Sequence, residues 1–283
     1  MSISDFIKRY PVLTYYILTF AISWGGFSLV IAPYGFLGTE ENLDTMFPLA
    51  VMVMLTGPCI AGILLTVLLS GKTGLRELFS QFLKWRINVR WYVIALLPAP
   101  LLMVAILFAF SLTSPIFTED YRIVLLLGIM VGFTTVLEEV GWTGFAVPKF
   151  RLRYGIFTTG VIMGILWGAW HFLQVLWMSN IYAGTVPLGI FLLLYILFSI
   201  THLTAYRVLL VWIYDRTESL LVTTLMHASL AASTVVIFRP LETGVPFLIY
   251  AWVLAAALWI LVAVVIVANG GHLTRQPRRN LDG

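Results

Sequence analysis

Two of the thirteen carboxylates in this 283-residue chain, Glu138 and Glu139, stand side by side inside an apolar stretch. Two histidines, His171 and His227, lie inside two later apolar stretches. An ionisable group far from the end of such a stretch is costly in lipid and marks a functional site by default. Adjacent carboxylates in a low dielectric cannot both ionise cheaply, so one of the pair is left the stronger base. Such a carboxylate can take a proton from water, and a neighbouring imidazole can bind the oxyanion that forms. The chemistry in view is hydrolysis by an activated water.

Other hydrolytic patterns are missing. The sequence has no GxSG, no GxGD and no HExxH. Glutamate and histidine on separate helices remain, and they admit two arrangements. One is a metal-free general base with imidazole assistance. The other is a zinc ion held by Glu138, His171 and His227 as a His₂Glu set. The residue types leave both open. Other polar residues carry plainer readings. His202, near Thr201 and Thr204, reads as an interhelical hydrogen-bonding residue. Arg207 either snorkels or pairs with an acid. Gly57-Pro58 reads as a kink. Cys59 is the single cysteine, so an intrachain disulfide is excluded, and it reads as packing.

The elements that position these groups follow from composition. Sixty per cent of residues are hydrophobic and 11% charged, with a mean hydropathy of +0.97. A soluble domain is about 45–50% apolar and about 25% charged. Disorder, nucleic-acid binding and a water-soluble single-core enzyme are thereby excluded. Eight apolar stretches run Pro11–Ala32, Phe47–Ser70, Trp91–Leu112, Arg122–Val147, Ile156–Met178, Pro187–Tyr214, Ser219–Ile237 and Pro246–Ala268. They are continuous rather than alternating, which predicts membrane helices and not barrel strands. The first is read as a retained helix and not a signal peptide. The fold class is therefore all-α: one polytopic transmembrane domain over 1–283 of about eight helices, with the motif-bearing core at 122–237 and a mobile basic tail at 269–283. Residues 71–90 place Leu75, Leu78, Phe79, Phe82 and Leu83 on one face, which predicts an amphipathic helix on the membrane surface.

With the N-terminus inside, 15 of the 17 Lys and Arg residues fall on the cytoplasmic side, and only Arg122 and Arg239 fall opposite. Asp44, Glu119, Asp120 and Glu242 are among the acids on the outer side. The positive-inside rule and an even span count put both termini in the cytoplasm. At about 1.5 Å per residue, Glu138 lies roughly 15 Å, His171 roughly 22 Å and His227 roughly 12 Å from the inner ends of their spans. All three reach the middle of a core about 30 Å thick.

The segments LEEVGWTGFAVPKF (137–150), ILWGAWHFLQ (165–174) and RTESLLVTTLMHAS (216–229) occur in that order. Together they resemble the CPBP intramembrane proteases, also called the CAAX protease or ABI family, whose pattern is EExxxR, FxxxH and HxxxN. The resemblance covers roughly residues 131–233. It implies a membrane endopeptidase in which Glu138 activates water and Glu139 orients or supports it. His171 and His227 then assist the water or stabilise the oxyanion. It implies no cofactor in the metal-free form, and zinc in the alternative. The implied substrate is a membrane-associated peptide or protein. Three positions depart from the pattern: Thr143 stands for the arginine, Trp167 for the phenylalanine and Ala231 for the asparagine. These departures keep a second reading in play, a non-catalytic relative acting as a membrane-protein partner or immunity factor. A proton-coupled transporter using the same carboxylates is a third.

Overall fold

A computed structural model describes residues 2–43, 45–112, 121–237, 242–271 and 273. Asp44, Glu119, Asp120, Arg239, His272, Arg275, Arg278 and Arg279, on which part of the charge count and the reading of the tail rest, lie outside the described residues. Among the described residues there is no strand. The helices are α1 (Ile3–Arg9), α2 (Pro11–Ile31), α3 (Glu40–Leu43), α4 (Met46–Ser80), α5 (Val89–Leu96), α6 (Pro98–Ser111), α7 (Tyr121–Glu139), α8 (Val147–Arg151), α9 (Ile156–Trp170), α10 (Phe172–Tyr182), α11 (Leu188–Thr217), α12 (Leu220–Ala231) and α13 (Gly244–Ala268).

Among the described residues, six helical segments are long and apolar enough to cross a membrane, and seven if a bent pair counts as one span. Only 22–50% of their most apolar windows is buried against the rest of the protein. The remaining apolar surface, including Leu13, Leu29, Leu101 and Ile260, faces outward. Water does not tolerate apolar area on that scale, and lipid requires it. The chain is an integral, multi-pass membrane protein.

Two of the eight expected spans differ from a simple crossing. The fifth stretch is not one rod: α9 and α10 meet at His171 with a bend of 55°. His171 has ψ near −1°, which opens the helical ladder there. The Trp170 carbonyl at the bend is met by the Trp24 indole N–H from α2, at 2.9 Å. The seventh stretch is not a plain α-helix: α12 gives way to a π-helical turn over Ala232–Ile237. The parity of the span count turns on that helix.

Residues 71–90 also depart from expectation. Gly71 sits at φ 59°, ψ −148° and breaks the helical geometry inside α4. Beyond it one side of the segment packs against protein while most of its residues are exposed. Leu78 is buried with Val140 and Leu220, and Phe82 packs beside them. Of the predicted apolar face, Phe79 and Leu83 stay exposed. Lys84 pairs with Glu218 at 3.1 Å, and the Tyr214 hydroxyl donates to Gln81 at 2.7 Å.

Pro58 has no N–H, so the carbonyl of Met54 loses its helical donor. The Ser23 hydroxyl of α2 donates to that carbonyl at 2.7 Å. The expected kink site is thus also the place where α2 and α4 join.

The tightest packing lies between α9 and α11. Gly160, Gly164 and Gly168, one turn apart, face Val208, Thr204 and Ile200. A Cβ on any of the three would come within about 2.5 Å of a backbone Cα of α11. Such small-residue stripes let two helices approach closely in lipid. The stripe sets α9, with Trp167, directly against α11, with Arg207. Gly164→Ala is therefore expected to lower stability by about 1–3 kcal/mol through overpacking. Gly25→Ala, which meets nothing within 4 Å, should stay within about 0.5 kcal/mol of the parent. Thermal unfolding in detergent checks both.

Candidate active site

Glu138 and Glu139 end α7. The chain then forms a π-helical turn from Val140 to Ala146 before α8 resumes. Two local causes are visible. Pro148 removes a backbone donor just beyond the turn. Gly141 lies so close to the Pro58 carbonyl of α4 that no Cβ would fit. π-turns recur at functional sites because they re-aim side chains. This one aims Thr143 back at Glu139, to which its hydroxyl donates a short hydrogen bond.

Glu139 is fully buried and has three partners. Arg207 Nη1, from α11, lies 3.1 Å from both carboxylate oxygens. Thr143 holds Oε2, and His227 Nδ1, from α12, donates to Oε1 at 2.8 Å. The cationic donor, the hydroxyl and the imidazole surround one carboxylate, as a buried charge demands.

Glu138 points to the other side of the same imidazole. Its Oε1 lies 3.9 Å from His227 Nε2. That is too long for a direct hydrogen bond, and an oxygen set to one side of the pair can hydrogen-bond to both atoms. Its Oε2 accepts the indole N–H of Trp167 at 2.8 Å. Trp167 is the hub of this cluster. Its ring lies under the Arg207 guanidinium at 4.1 Å and edge-on to His227 at 4.9 Å.

A carboxylate cannot donate, so His227 Nδ1 carries the proton and, in the neutral ring, Nε2 is the acceptor facing Glu138. His171 stands at the bend between α9 and α10. Its Nδ1 lies 2.9 Å from the Trp167 carbonyl, which likewise assigns the proton to Nδ1. The structure therefore brings Glu138, Glu139 and His227 into direct relation. It joins His171 to them through Trp167, against which the ring packs edge-on at 5.8 Å.

His202 does not belong to the cluster and is not interhelical. It lies 2.9 Å from the Phe198 carbonyl of its own helix and stacks on the Phe198 ring at 4.2 Å. Among the described residues no three His, Cys, Asp or Glu side chains converge where one cation would touch them all. The Nδ1 atoms of His171 and His227 meet the Trp167 carbonyl and Glu139.

Three contributors stand outside the residue set that sequence reasoning singled out for chemistry. Arg207 takes the second of its two expected roles, pairing with an acid. It lies ten residues from the C-terminus of α11, about 15 Å in, the depth that singled out Glu138. Thr143 and Trp167 read in sequence as departures from a pattern, yet each supplies a donor to a glutamate. Two of the hydroxyls near Ala231 are committed elsewhere: Ser229 donates to the Leu96 carbonyl and Thr234 to the Leu230 carbonyl. Glu139→Leu is expected to cost about 3–5 kcal/mol, because Arg207 is left buried and unpaired. Glu139→Leu combined with Arg207→Leu should return close to parental stability, read as the melting temperature in detergent.

The comparisons fall on this same segment. Residues 119–233 match the family model described as "Type II CAAX prenyl endopeptidase Rce1-like". The chain is also similar to the "CAAX prenyl protease 2" of Methanococcus maripaludis (strain S2), at 22% identity over 190 residues. That similarity covers 62% of this chain and 66% of the relative's length. The matched segment holds both glutamates, the two histidines of the cluster, Thr143, Trp167 and Arg207, and over it the chain is similar to the type II CAAX prenyl endopeptidases.

Proposed function

We propose that the protein is an intramembrane endopeptidase in which Glu138 is the general base. The observation that carries this is the 3.9 Å gap between Glu138 Oε1 and His227 Nε2, with the far side of the imidazole fixed by Glu139. A water bridging the two atoms from one side gives one hydrogen to His227 Nε2 and faces Glu138 with the other. Glu138 takes that proton as the water oxygen bonds to the peptide carbonyl carbon, and the carbonyl π pair moves onto oxygen. When the tetrahedral centre collapses, the C–N bond breaks and Glu138 returns its proton to the leaving amine. Trp167 keeps the second oxygen of Glu138 hydrogen-bonded, so the base is aimed by a donor rather than left to rotate.

The substrate in this reading is a membrane-associated protein. A prenylated C-terminal CAAX peptide is the first to test, since the matching family model and the relative both bear that name. The positive-inside rule supports a cytoplasmic location for both termini and a site reached from that side. Purified protein in detergent is expected to cleave a farnesylated CAAX peptide. Glu138→Ala should abolish cleavage with an unchanged melting temperature, and retained cleavage would remove Glu138 from this role.

Ala231 bears on rate. The family pattern places an amide donor there, and losing one oxyanion donor costs about 10²–10³ in kcat. Ala231→Asn is expected to raise kcat about tenfold or more in the same assay. The second reading, a non-catalytic partner, is favoured by Ala231 and by the committed hydroxyls of Ser229 and Thr234. It predicts no turnover by either protein and a silent Glu138→Gln variant in cells.

A further inference from the structure

Arg207 is a costly side chain to bury. It is fully buried in the middle of α11, and its Nε and Nη2 meet no protein acceptor among the described residues. A buried ion pair does little for stability against apolar residues of similar volume, and two unpaired N–H groups make this one poorer still. Stability does not account for it. Its placement does. Arg207 Nη1 straddles both oxygens of Glu139, and Glu139 in turn holds Nδ1 of His227, whose Nε2 faces Glu138. Where the family pattern has its arginine, four residues after Glu139 on the same helix, this chain has Thr143, itself bonded to Glu139.

We propose that Arg207 is a positioning residue that replaces the motif arginine from a different helix: as the counter-ion of Glu139 it makes Glu139 an acceptor for the Nδ1 proton of His227, and so presents Nε2 of His227 to the water at Glu138. The inference rests on the endopeptidase reading for its kinetic consequence, and on geometry alone for its effect on His227. The guanidinium touches neither water nor substrate. It acts through two intermediaries, Glu139 and His227. The bond that fixes the imidazole is therefore only as good as the charge behind it. Trp167 closes the loop, because its ring supports the guanidinium while its N–H aims Glu138.

Two measurements test this. The first needs no turnover. Nitrogen-15 NMR of histidine-labelled protein in detergent, with His227 assigned by its loss in His227→Gln, reports which ring nitrogen bears the proton in the neutral form. The parent should carry it on Nδ1. In Arg207→Gln, Glu139 loses its counter-ion and the proton should move to Nε2. An unchanged tautomer in Arg207→Gln overturns the proposal, whether or not the protein cleaves peptide. The second is the kcat against KM split on the farnesylated peptide. Arg207→Gln should lower kcat about 10²-fold with KM within threefold, and Arg207→Lys should recover at least tenfold of that loss. Parental kcat in Arg207→Gln overturns the proposal while leaving the endopeptidase reading intact. Should Arg207→Gln not fold, the neutral pair Glu139→Leu with Arg207→Leu takes its place, and parental His227 tautomer in that variant overturns the proposal equally.

Discussion

The organising constraint is the buried ion pair between Glu139 and Arg207. Neither side chain reaches solvent, and a lone charge at either position would be intolerable at that depth. Each therefore dictates where the other's helix must lie. Glu139 ends α7 and Arg207 sits in α11. Through Glu139 the pair also fixes α12, which carries His227. Three helices distant in sequence are registered against one another by a single carboxylate.

The surrounding architecture serves that registration. The glycine stripe of α9 removes side chains where bulk would push α11 away, so the Trp167 ring can lie under the guanidinium. Gly62 and Gly141 do the same between α4 and the π-turn. The π-turn then brings Thr143 round to Glu139. Glycine and proline, read in isolation as weaknesses of a helix, are here the means of close approach in a medium with no hydrophobic force to drive helices together.

Much of this is legible in the chain. Lipid demands long uninterrupted apolar runs, so the helices announce themselves. Counting from span ends places Glu138, His171 and His227 at one depth. What is not legible depends on contacts between helices. The 55° bend at His171 leaves no proline or glycine at the break, because the cause lies in a carbonyl capped by Trp24 of α2. Thr143 and Trp167 look like losses when each motif is read alone. They become donors only once the fold shows which atoms face the glutamates. Arg207 had a visible signal in its depth, but only its partner reveals its meaning.

The spine of glycines along α9 carries one more implication. Two helices seated backbone to backbone cannot slide or tilt independently, so Trp167 and Arg207 travel as a single wall.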